Sequence, residues 1–430
     1  MRPAGRLRWL RSTPTERGNV PDIGFDVEKV RAQFPALRRQ LDGVPVAYFD
    51  GPGGTQVPKR VVDAMSDYLL NHNANAHWHY PTSNETDAVI ASGRSAMADL
   101  LGCAADEIAF GQNMTSLTFH VSRALSRSWG PGDEVVVTEL DHHGNVDPWV
   151  HAARDCGATV RTVRISQATR ELDPDSLGES ITPRTKLVAI GAASNAIGTM
   201  PDVAEVVRLA RSAGALVYVD AVHAAPHASI DVHALDCDFL ACSAYKFYGP
   251  HIGVLCGKRE LLASLDIPRL RPAPDTAPER IETGTQNHEA IAGATAAVDF
   301  LASIGSGTTR REALVDAYAK LHAKDALLVE RLWDGLAAIP SVTLYGRKPG
   351  TGPRTPTVAF AVDGMPSAQV ASALAERALF VTDGNFYAAT LVEKLGHADD
   401  GVVRAGCACY TTTDEVDRLV QAVRALRTAR

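Results

Sequence analysis

One lysine stands in a long apolar stretch where a charged side chain needs an explanation. In DFLACSAYKFYGPHIGVL, residues 238–255, Lys246 follows Ser243 and Tyr245 and precedes a segment with glycine and proline. Burying an unpaired ammonium is unfavourable, so either this side chain reaches solvent or its amine is needed uncharged. Because burial lowers a lysine pKa, it also yields a neutral, nucleophilic amine. The stretch alone therefore leaves two interpretations of Lys246, a solvated ammonium or a reactive neutral amine.

Other polar side chains also follow predicted strands. Because the ends of parallel strands meet at one edge of a sheet, we expect these side chains to lie close together. A phosphate, a carboxylate, an imidazole and an amine would then share one site. The residues are Asp220 after LVYV, Ser243 after DFLAC, Met114-Thr115-Ser116 at a strand-to-helix turn, and Asp141-His142-His143 after DEVVVTEL.

This set of groups suits pyridoxal phosphate. A helix N-terminus with hydroxyl side chains binds a phosphate. A carboxylate beside the pyridine nitrogen keeps it protonated, so the ring withdraws electrons, and a lysine amine forms a Schiff base with the aldehyde. Each feature alone is explained as well by a helix cap, a solvated lysine or a polar turn. Their combination in this order favours the cofactor.

The elements that must position these residues alternate from about Asp106 onward. Short β-branched runs alternate with helical segments, which predicts an α/β fold with a mostly parallel sheet flanked by helices. The predicted strands are EIAFG, DEVVVTEL, TVRTVRI, TKLVAIGAAS, ALVYVDAVHA, DFLACSA and GVLCG, and the helices include MTSLTFHVSRAL, VDPWVHAARDCG and DVAEVVRLARSAG.

The remainder of the chain predicts a second unit. RPAPDTAPERIETGTQN reads as a long loop, a long helical region follows over residues 290–338, and a smaller α/β unit ends the chain. We expect a flexible tail over 1–22 and an N-terminal segment over 23–40 that joins the small domain. A large cofactor-binding domain would cover 41–300 and a small C-terminal domain 310–430.

Composition limits the classes of function. The chain has 430 residues, is 45% hydrophobic and carries a net charge of −7, which argues against a nucleic-acid partner. No apolar stretch reaches the roughly 20 residues that a membrane span needs. Seven scattered cysteines without a CxxC pair fit a reducing cytoplasm. The basic N-terminus lacks an apolar core and is not a secretory signal, and a mitochondrial presequence is a weaker alternative.

From about Val27 to Leu426 the chain resembles the class V aminotransferase family of fold-type I pyridoxal-phosphate enzymes. Within that family it is most similar to group II cysteine desulfurases and desulfurase-like proteins. The resemblance implies one large domain with a seven-stranded-type sheet and a smaller C-terminal α/β domain. The matching stretches are AYFDGPGGTQVP, NANAHWHY, TELDHHGNVDPW, SNAIGTMPDV, VYVDAVHAAPH, SAYKFYGPHIGVL, ETGTQNHEAIAG and VVRAGCACY.

The resemblance assigns roles around the cofactor. Lys246 would form the Schiff base, Asp220 would pair with the ring nitrogen, and His142, rather than His143, would stack on the ring. The remaining cofactor-binding residues would be Met114, Thr115 and Ser243 at the phosphate and Asn195 and His223 near the ring.

The resemblance also implies a shared site and an amino-acid substrate. Thr285 in ETGTQN matches a phosphate ligand supplied by a second subunit, so a homodimer is expected. Arg404 would bind the substrate carboxylate, which suits a bidentate guanidinium. His77 would lie on the substrate side. Specificity is expected in the loops GPGGT, NANAHWHYPTS and DGNFYAAT.

Cys409 in RAGCACY falls where group II desulfurases place the cysteine that receives sulfur, so it is a catalytic candidate. Three departures bear on this role. Cys407 and Ala408 replace two histidines before it, a downstream arginine motif is missing, and Tyr245 replaces a histidine before the lysine. A buried structural thiol is the alternative for Cys409.

Several reactions remain open on this sequence. A cysteine desulfurase-like enzyme, with a sulfur acceptor protein, is the leading hypothesis, and an aminotransferase, an epimerase or a β-lyase of the same family is the alternative. A zinc hydrolase built on HWH, HH and HAAPH is remote, because no HExxH helix occurs and no metal ligands are predicted. A non-catalytic scaffold disagrees with the intact lysine, aspartate and phosphate set.

Overall fold

The computed structural model describes residues 24–426, so the predicted tail over 1–22 lies outside the described residues. The strands are β1 (Gln40–Leu41), β2 (Val44–Pro45), β3 (Ala47–Tyr48), β4 (Ile108–Gly111), β5 (Glu134–Thr138), β6 (Thr159–Val163), β7 (Thr185–Gly191), β8 (Leu216–Asp220), β9 (Phe239–Ser243), β10 (Gly253–Gly257), β11 (Val342–Tyr345), β12 (Thr357–Val362), β13 (Leu379–Phe380), β14 (Thr382–Gly384) and β15 (Val402–Gly406).

The α-helices follow the strands along most of the chain. None of those within residues 24–426 is both long and apolar enough to cross a membrane. They are α1 (Val27–Arg31), α2 (Lys59–Asp67), α3 (Pro81–Leu101), α4 (Met114–Leu125), α5 (Asp147–Cys156), α6 (Pro174–Ser180), α7 (Val203–Ser212), α8 (Val232–Leu235), α9 (Arg259–Ser264), α10 (His288–Ala302), α11 (Arg310–Ala337), α12 (Ser367–Ala375), α13 (Ala389–Lys394) and α14 (Thr413–Ala425).

The large sheet confirms the predicted fold class. Its seven strands lie in the order β4-β10-β9-β8-β7-β5-β6. Strands β5 to β9 pair in parallel, whereas β10 is antiparallel to both β9 and β4. The parallel strands therefore end at one edge, where the predicted polar residues follow them.

Both faces of this sheet are buried, which explains why its strands read as nearly continuous apolar runs. Alternate residues of one strand enter different cores. On β8, Val217 and Val219 join the core beneath α3 and α10, while Tyr218 joins the core beneath α4 and α5. The two layers of helices hold the sheet rigid, so the strand ends form a fixed frame for a site.

The predicted long helical region over 290–338 is two helices, α10 and α11. The connection turns back at Gly305, where an added Cβ would lie 2.0 Å from the Ala313 carbonyl oxygen. Thr309 then caps α11 by accepting the Glu312 N–H, and the Glu312 side chain returns a bond to the Thr309 N–H. A capping box therefore starts the second helix where helical periodicity alone predicted continuity.

A smaller antiparallel sheet follows in the order β11-β12-β15-β14, and α11, α12 and α14 cover it. The N-terminal segment lies against this region, since β3 pairs with β13 and the Gly406 N–H donates to Phe49. Arg31 of α1 also pairs with Glu415 of α14 at 3.0 Å. The boundaries of the two domains stay a prediction.

Candidate active site

A cavity of about 930 Å³ opens at the carboxyl ends of the parallel strands and reaches the small sheet. Residues predicted from six separate sequence segments line it together. They are Met114, Thr115, His142, Asn195, Asp220, His223, Ser243, Lys246 and Arg404, with His143 beside them. The structure thus gathers nine of the twelve predicted site residues.

Lys246 reaches the cavity from a short 3-10 turn, Ala244–Lys246, that follows β9. Its Nζ donates to the carbonyl oxygens of Pro52 at 2.5 Å and Gly53 at 2.9 Å, both in the predicted GPGGT loop. Burial, reinforced by the Arg404 guanidinium and opposed by Asp220, lowers the pKa of Lys246 to about 7. The amine is therefore available in its neutral form near neutral pH.

Two buried carboxylates face each other near this amine. Asp220, the last residue of β8, accepts the Val222 N–H at 2.8 Å, and burial raises its pKa to about 6. Asp141 accepts the Gly191 N–H at 2.9 Å, and burial, with the charge of Asp220 adding to it, raises its pKa to about 7. Burial thus makes both carboxyl groups weaker acids than solvated ones.

Helix α4 points its N-terminus into the cavity. Asn113 caps the helix by accepting the Ser116 N–H, and the Met114 N–H donates to the Ser243 hydroxyl at 2.9 Å. This bond joins the start of α4 to the end of β9. The N-terminal dipole and the hydroxyls of Ser243 and Thr115 form an anion-binding corner.

The His142 ring is held in a defined orientation. Its Nδ1 accepts the Gly144 N–H at 2.8 Å, so the ring proton lies on Nε2, and burial lowers its pKa to about 4. A Cβ at Gly144 would lie 2.8 Å from His142 Nδ1 and 2.9 Å from Thr115 Oγ1. Only glycine leaves room for both side chains in this turn. The result is a neutral imidazole on the cavity wall.

Asn195 and His223 are anchored by residues from the small sheet and its flanks. His223 Nε2 lies 3.0 Å from the Thr355 hydroxyl and 3.1 Å from that of Thr357. Asn195 Nδ2 donates to the Phe386 carbonyl at 2.8 Å, while its buried Oδ1 has no hydrogen-bond partner among the described residues. The unpartnered Asn195 Oδ1 can therefore accept a hydrogen bond from a ligand in the cavity.

Arg404 is 4% exposed and approaches the cavity from β15. Its guanidinium donates to the Thr382 hydroxyl and the Asn195 carbonyl, and the Phe386 ring centre lies 4.0 Å from its central carbon. Burial lowers the pKa of Arg404 to about 9, with Asp50 opposing. Asp50 lines no part of the cavity but compensates this buried cation.

Three predicted residues do not line the cavity. His77 is exposed, has a positive φ of 68° and pairs with Asp87 at 2.9 Å. Thr285 is exposed in the loop before α10. The predicted loop NANAHWHYPTS also adds no side chain to the cavity wall within the described chain. His77 and Thr285 stay predictions for a site completed by a second subunit.

Cys409 is the third such residue, and its surroundings differ from those of a reactive thiol. It is 1% exposed in the core that includes Phe34, Tyr248 and Tyr410, and its backbone N–H donates to the Tyr248 hydroxyl at 3.0 Å. Burial raises the pKa of the Cys409 thiol to about 12. In this conformation the thiol is protonated and shielded from the cavity.

The structure also adds residues that sequence reasoning did not assign. Phe386 and Tyr387 of the DGNFYAAT loop both line the cavity with positive φ values of 56° and 58°, and Tyr387 packs on His142 with ring centres 5.5 Å apart. His251 stacks on Tyr245 at 4.8 Å. The available signals were Gly384 within this loop and the histidine five residues after Lys246.

The lining groups match the parts of pyridoxal phosphate. An anion-binding corner, a carboxylate and an amine with a lowered pKa face one volume, and an unpartnered acceptor lies beside them. A parallel α/β sheet carrying this set at its carboxyl edge defines a fold-type I enzyme that depends on pyridoxal phosphate. The family model for class-V aminotransferases matches residues 47–419, and the chain belongs to this family.

Similar proteins span almost the whole chain. A cysteine desulfurase of Dickeya dadantii is 33% identical over 94% of this chain and 97% of its own length. The aminotransferase-like protein FGM3 of Gibberella zeae is 34% identical over 93% and 98%. Membership of this family excludes the zinc-hydrolase alternative.

Solved structures agree with this assignment. The cysteine desulfurase CsdA of Escherichia coli superposes with a TM-score of 0.82 at 31% identity, covering 94% of this chain and 99% of that one. An apo cysteine desulfurase of Thermococcus onnurineus gives a TM-score of 0.84 at 27% identity, over 97% and 100%. The prediction of a fold-type I enzyme is confirmed.

Proposed function

We propose that this enzyme cleaves the carbon–sulfur bond of cysteine or a closely related sulfur amino acid, releasing alanine from cysteine. The observation that carries the proposal is the shared cavity of Lys246, Asp220, His142 and Arg404. Relatives named cysteine desulfurases match over more than nine tenths of the chain. The groups in the cavity suit reactions of amino acids in general, and the similarity to cysteine desulfurases favours cysteine as the substrate.

Pyridoxal phosphate, when bound, supplies an electron sink for a carbanion next to the amino group. Lys246 would bind the cofactor through its amine and, once released, move a proton to or from the substrate Cα. Its lowered pKa suits both tasks near neutral pH. Asp220 would hold a proton on the ring nitrogen, because its carboxylate ends β8 at the cavity wall. His142, neutral and fixed by Gly144, would lie against the ring.

Arg404 would orient the substrate by its carboxylate. Two of its donors are already directed to Thr382 and Asn195, and Phe386 covers one face of the guanidinium. The remaining donors therefore point in a restricted direction. Burial strengthens a charge-assisted bond at this position because water competes poorly.

The sulfur needs an acceptor thiol. Cysteine plus a thiol gives alanine plus a persulfide, which balances atoms and electrons without another oxidant. The motif assigns this thiol to Cys409, and the segment around it would have to open, because Cys409 is buried. A supplied small thiol or the thiol of an acceptor protein can reach the open cavity directly. We therefore expect such a thiol to sustain turnover.

A second candidate is an amino-acid reaction without sulfur transfer, such as transamination, epimerisation or β-elimination. The buried position of Cys409 favours it, because no cysteine is among the described residues that line the cavity. The relative named aminotransferase-like points the same way. This candidate uses Lys246, Asp220 and Arg404 in the same roles.

Product analysis separates these reactions. Holoenzyme incubated with cysteine and a small thiol should give alanine and persulfide sulfur in equal amounts. Pyruvate with ammonia would identify a lyase, cofactor converted to its amine form a transaminase, and racemised cysteine an epimerase. Absence of all turnover of cysteine, with turnover of a sulfur-free amino acid, would contradict the proposal.

Cys409→Ser and the neighbouring buried Cys407→Ser form a matched pair. The motif alone predicts that Cys409→Ser abolishes alanine formation. Because the structure buries this thiol, we expect both variants to retain activity when a small thiol is present. Loss of activity in Cys409→Ser alone would instead make Cys409 the acceptor and require the segment to open.

We also propose a homodimer in which Thr285 of each subunit serves the other site. Its exposure next to α10 supports an intersubunit role. A reducing cytoplasm is the proposed location, since all seven cysteines are free thiols.

A further inference from the structure

We propose that Cys103, Glu107 and Cys256, completed by His233, bind a thiolate-preferring divalent cation of the zinc class. These residues lie at the opposite end of the sheet strands from the cavity, and no step of the proposed reaction uses them. The ligand atoms of Cys103, Glu107 and Cys256 all lie within 4.8 Å of one another. Thiolate, carboxylate and imidazole together are donors that zinc accepts in tetrahedral sites.

The separation of the three ligand atoms is close to that of an occupied site. Zinc bonds of about 2.0–2.3 Å place tetrahedral ligand atoms roughly 3.3–3.8 Å apart. The cluster must therefore contract by about an ångström, which side-chain rotation can supply. Cys103 and Glu107 are partly exposed, so the side chains of two of the three ligands have room to rotate.

The backbone brings these ligands together by defined local structure. Helix α3 ends at Gly102 with a φ of 69°, and the Cys103 N–H then bonds back to the Ala98 carbonyl, which places the thiol beside the sheet edge. Glu107 directly precedes β4. In the sheet, Cys256 of β10 lies opposite Ile108 of β4. The register therefore sets Cys256 next to the residue that follows Glu107.

His233 supplies the fourth donor from α8. Its Nε2 lies 2.7 Å from Glu107 Oε2, and 60% of its side chain is exposed. The close approach of Asp231 at the start of α8 requires the glycine at 102, where a Cβ would lie 2.8 Å from the Asp231 Cα. The His233 imidazole is exposed and lies beside the Glu107 carboxylate, so an ion can approach the cluster from this side.

Neighbouring cations do not neutralise the cluster. Arg259 pairs with Asp106 at 3.0 Å, and Lys258 pairs with Asp236 at 2.5 Å. The Glu107 carboxylate instead contacts the His233 ring and accepts the Ala104 N–H. The carboxylate is thus free of arginine and lysine partners among the described residues, which leaves its charge for an ion.

The side chains of Cys103 and Cys256 are hydrogen-bonded to each other, so the two thiols already lie side by side. Zinc binding displaces the two thiol protons, and the affinity should therefore increase with pH. An ion here would tie edge strand β4 to β10, the end of α3 and α8, so it should stabilise the fold and leave the reaction unchanged.

Zinc retention by reduced, chelator-treated holoenzyme tests the proposal. After equilibrium dialysis against zinc chloride with a phosphine reductant, we expect about one tightly held zinc per chain and a higher melting temperature. Cys103→Ser and Glu107→Gln, both at partly exposed positions, should each weaken zinc binding at least tenfold and remove the thermal shift. Cys256→Ser should do the same if it folds. Cys156→Ser is the matched control, because Cys156 lies in α5, outside the cluster, and its thiol donates to the Ala152 and Ala153 carbonyls.

Two results would overturn the proposal. One is wild-type holoenzyme that holds no zinc beyond that of the Cys103→Ser variant. The other is equal zinc retention in Cys103→Ser, Glu107→Gln and Cys156→Ser, which would place the ion elsewhere on the chain. The cofactor spectrum of each variant serves as the folding control and does not depend on zinc.

Discussion

The amine of Lys246 lies between two opposite charges, and their balance sets its reactivity. Burial and the Arg404 guanidinium lower its pKa to about 7, while Asp220 acts in the opposite direction. The neutral amine is the form that attacks an aldehyde. At pH 6 only about one tenth of a group with a pKa of 7 is neutral, and at pH 8 about nine tenths. Covalent attachment of the cofactor should therefore rise with pH through neutrality.

Two substitutions should move the pH midpoint of cofactor attachment in opposite directions. Arg404→Gln removes a positive charge, so the Lys246 pKa should rise and the attachment profile should shift to higher pH. Asp220→Asn removes a negative charge, so the profile should shift to lower pH. Apoenzyme is mixed with pyridoxal phosphate at a series of pH values and trapped with borohydride after a fixed time. The pH midpoint of attachment is then measured independently of the total amount attached. Shifts of the same sign in both variants would refute the electrostatic explanation.

At the scale of elements, the junction of α4 with β9 and β10 determines the shape of the anion-binding corner. The Met114 N–H meets Ser243 at the end of β9, and Gly253 of β10 lies directly beneath Asn113, the cap of α4. A Cβ at Gly253 would lie 2.5 Å from the Asn113 carbonyl carbon. Because this contact is with backbone, no side-chain rotation can relieve it.

Gly253→Ala should therefore displace the start of α4. We expect a loss of about 1–3 kcal/mol in the free energy of unfolding and weaker binding of pyridoxal phosphate. Gly178→Ala in α6 is the control, since an added Cβ there meets nothing within 4 Å. That control should be stabilised by a few tenths to about 1 kcal/mol. Denaturant unfolding and cofactor titration report the two effects. Unchanged cofactor affinity in Gly253→Ala would contradict this account of the junction.

At the scale of the whole molecule, Thr285 and His77 do not belong to the lining of the candidate site of their own chain. Both residues are exposed and lie outside the cavity wall of their own chain. A second subunit that supplies Thr285 would close the phosphate end. In the proposed homodimer, cofactor affinity would depend on both subunits.

Mixed dimers test that arrangement. Lys246→Ala and Thr285→Val chains, co-expressed with different tags, should form dimers in which one of the two sites has both residues. That site should bind the cofactor with wild-type affinity, whereas Thr285→Val homodimers should bind about 10–100-fold more weakly. Thr283→Val, at a nearby exposed position, is the control and should bind normally. If mixed dimers bind no better than Thr285→Val homodimers, Thr285 does not act between subunits.

The sequence predicted those features of the fold and site that a short segment of chain determines, and it did not predict those that depend on packing between distant segments. The strand ends at Asp220 and Ser243 and the helix start at Met114 were predictable, because apolar runs, caps and the parallel topology fix them. The burial of Cys409 was not, because its motif position says nothing about which side chains pack over it. The backbone conformation of Phe386 and Tyr387 was also unpredictable, since contacts with Arg404 and His142 from distant segments stabilise it.

The covalent attachment of the cofactor to Lys246 is the central claim, and peptide mapping tests it most directly. Holoenzyme reduced with borohydride, digested and analysed by mass spectrometry should carry the pyridoxyl group on the peptide that contains Lys246. The Lys246→Ala variant should carry none. A pyridoxyl group on another lysine of the wild-type chain, or equal labelling of the variant, would contradict the account.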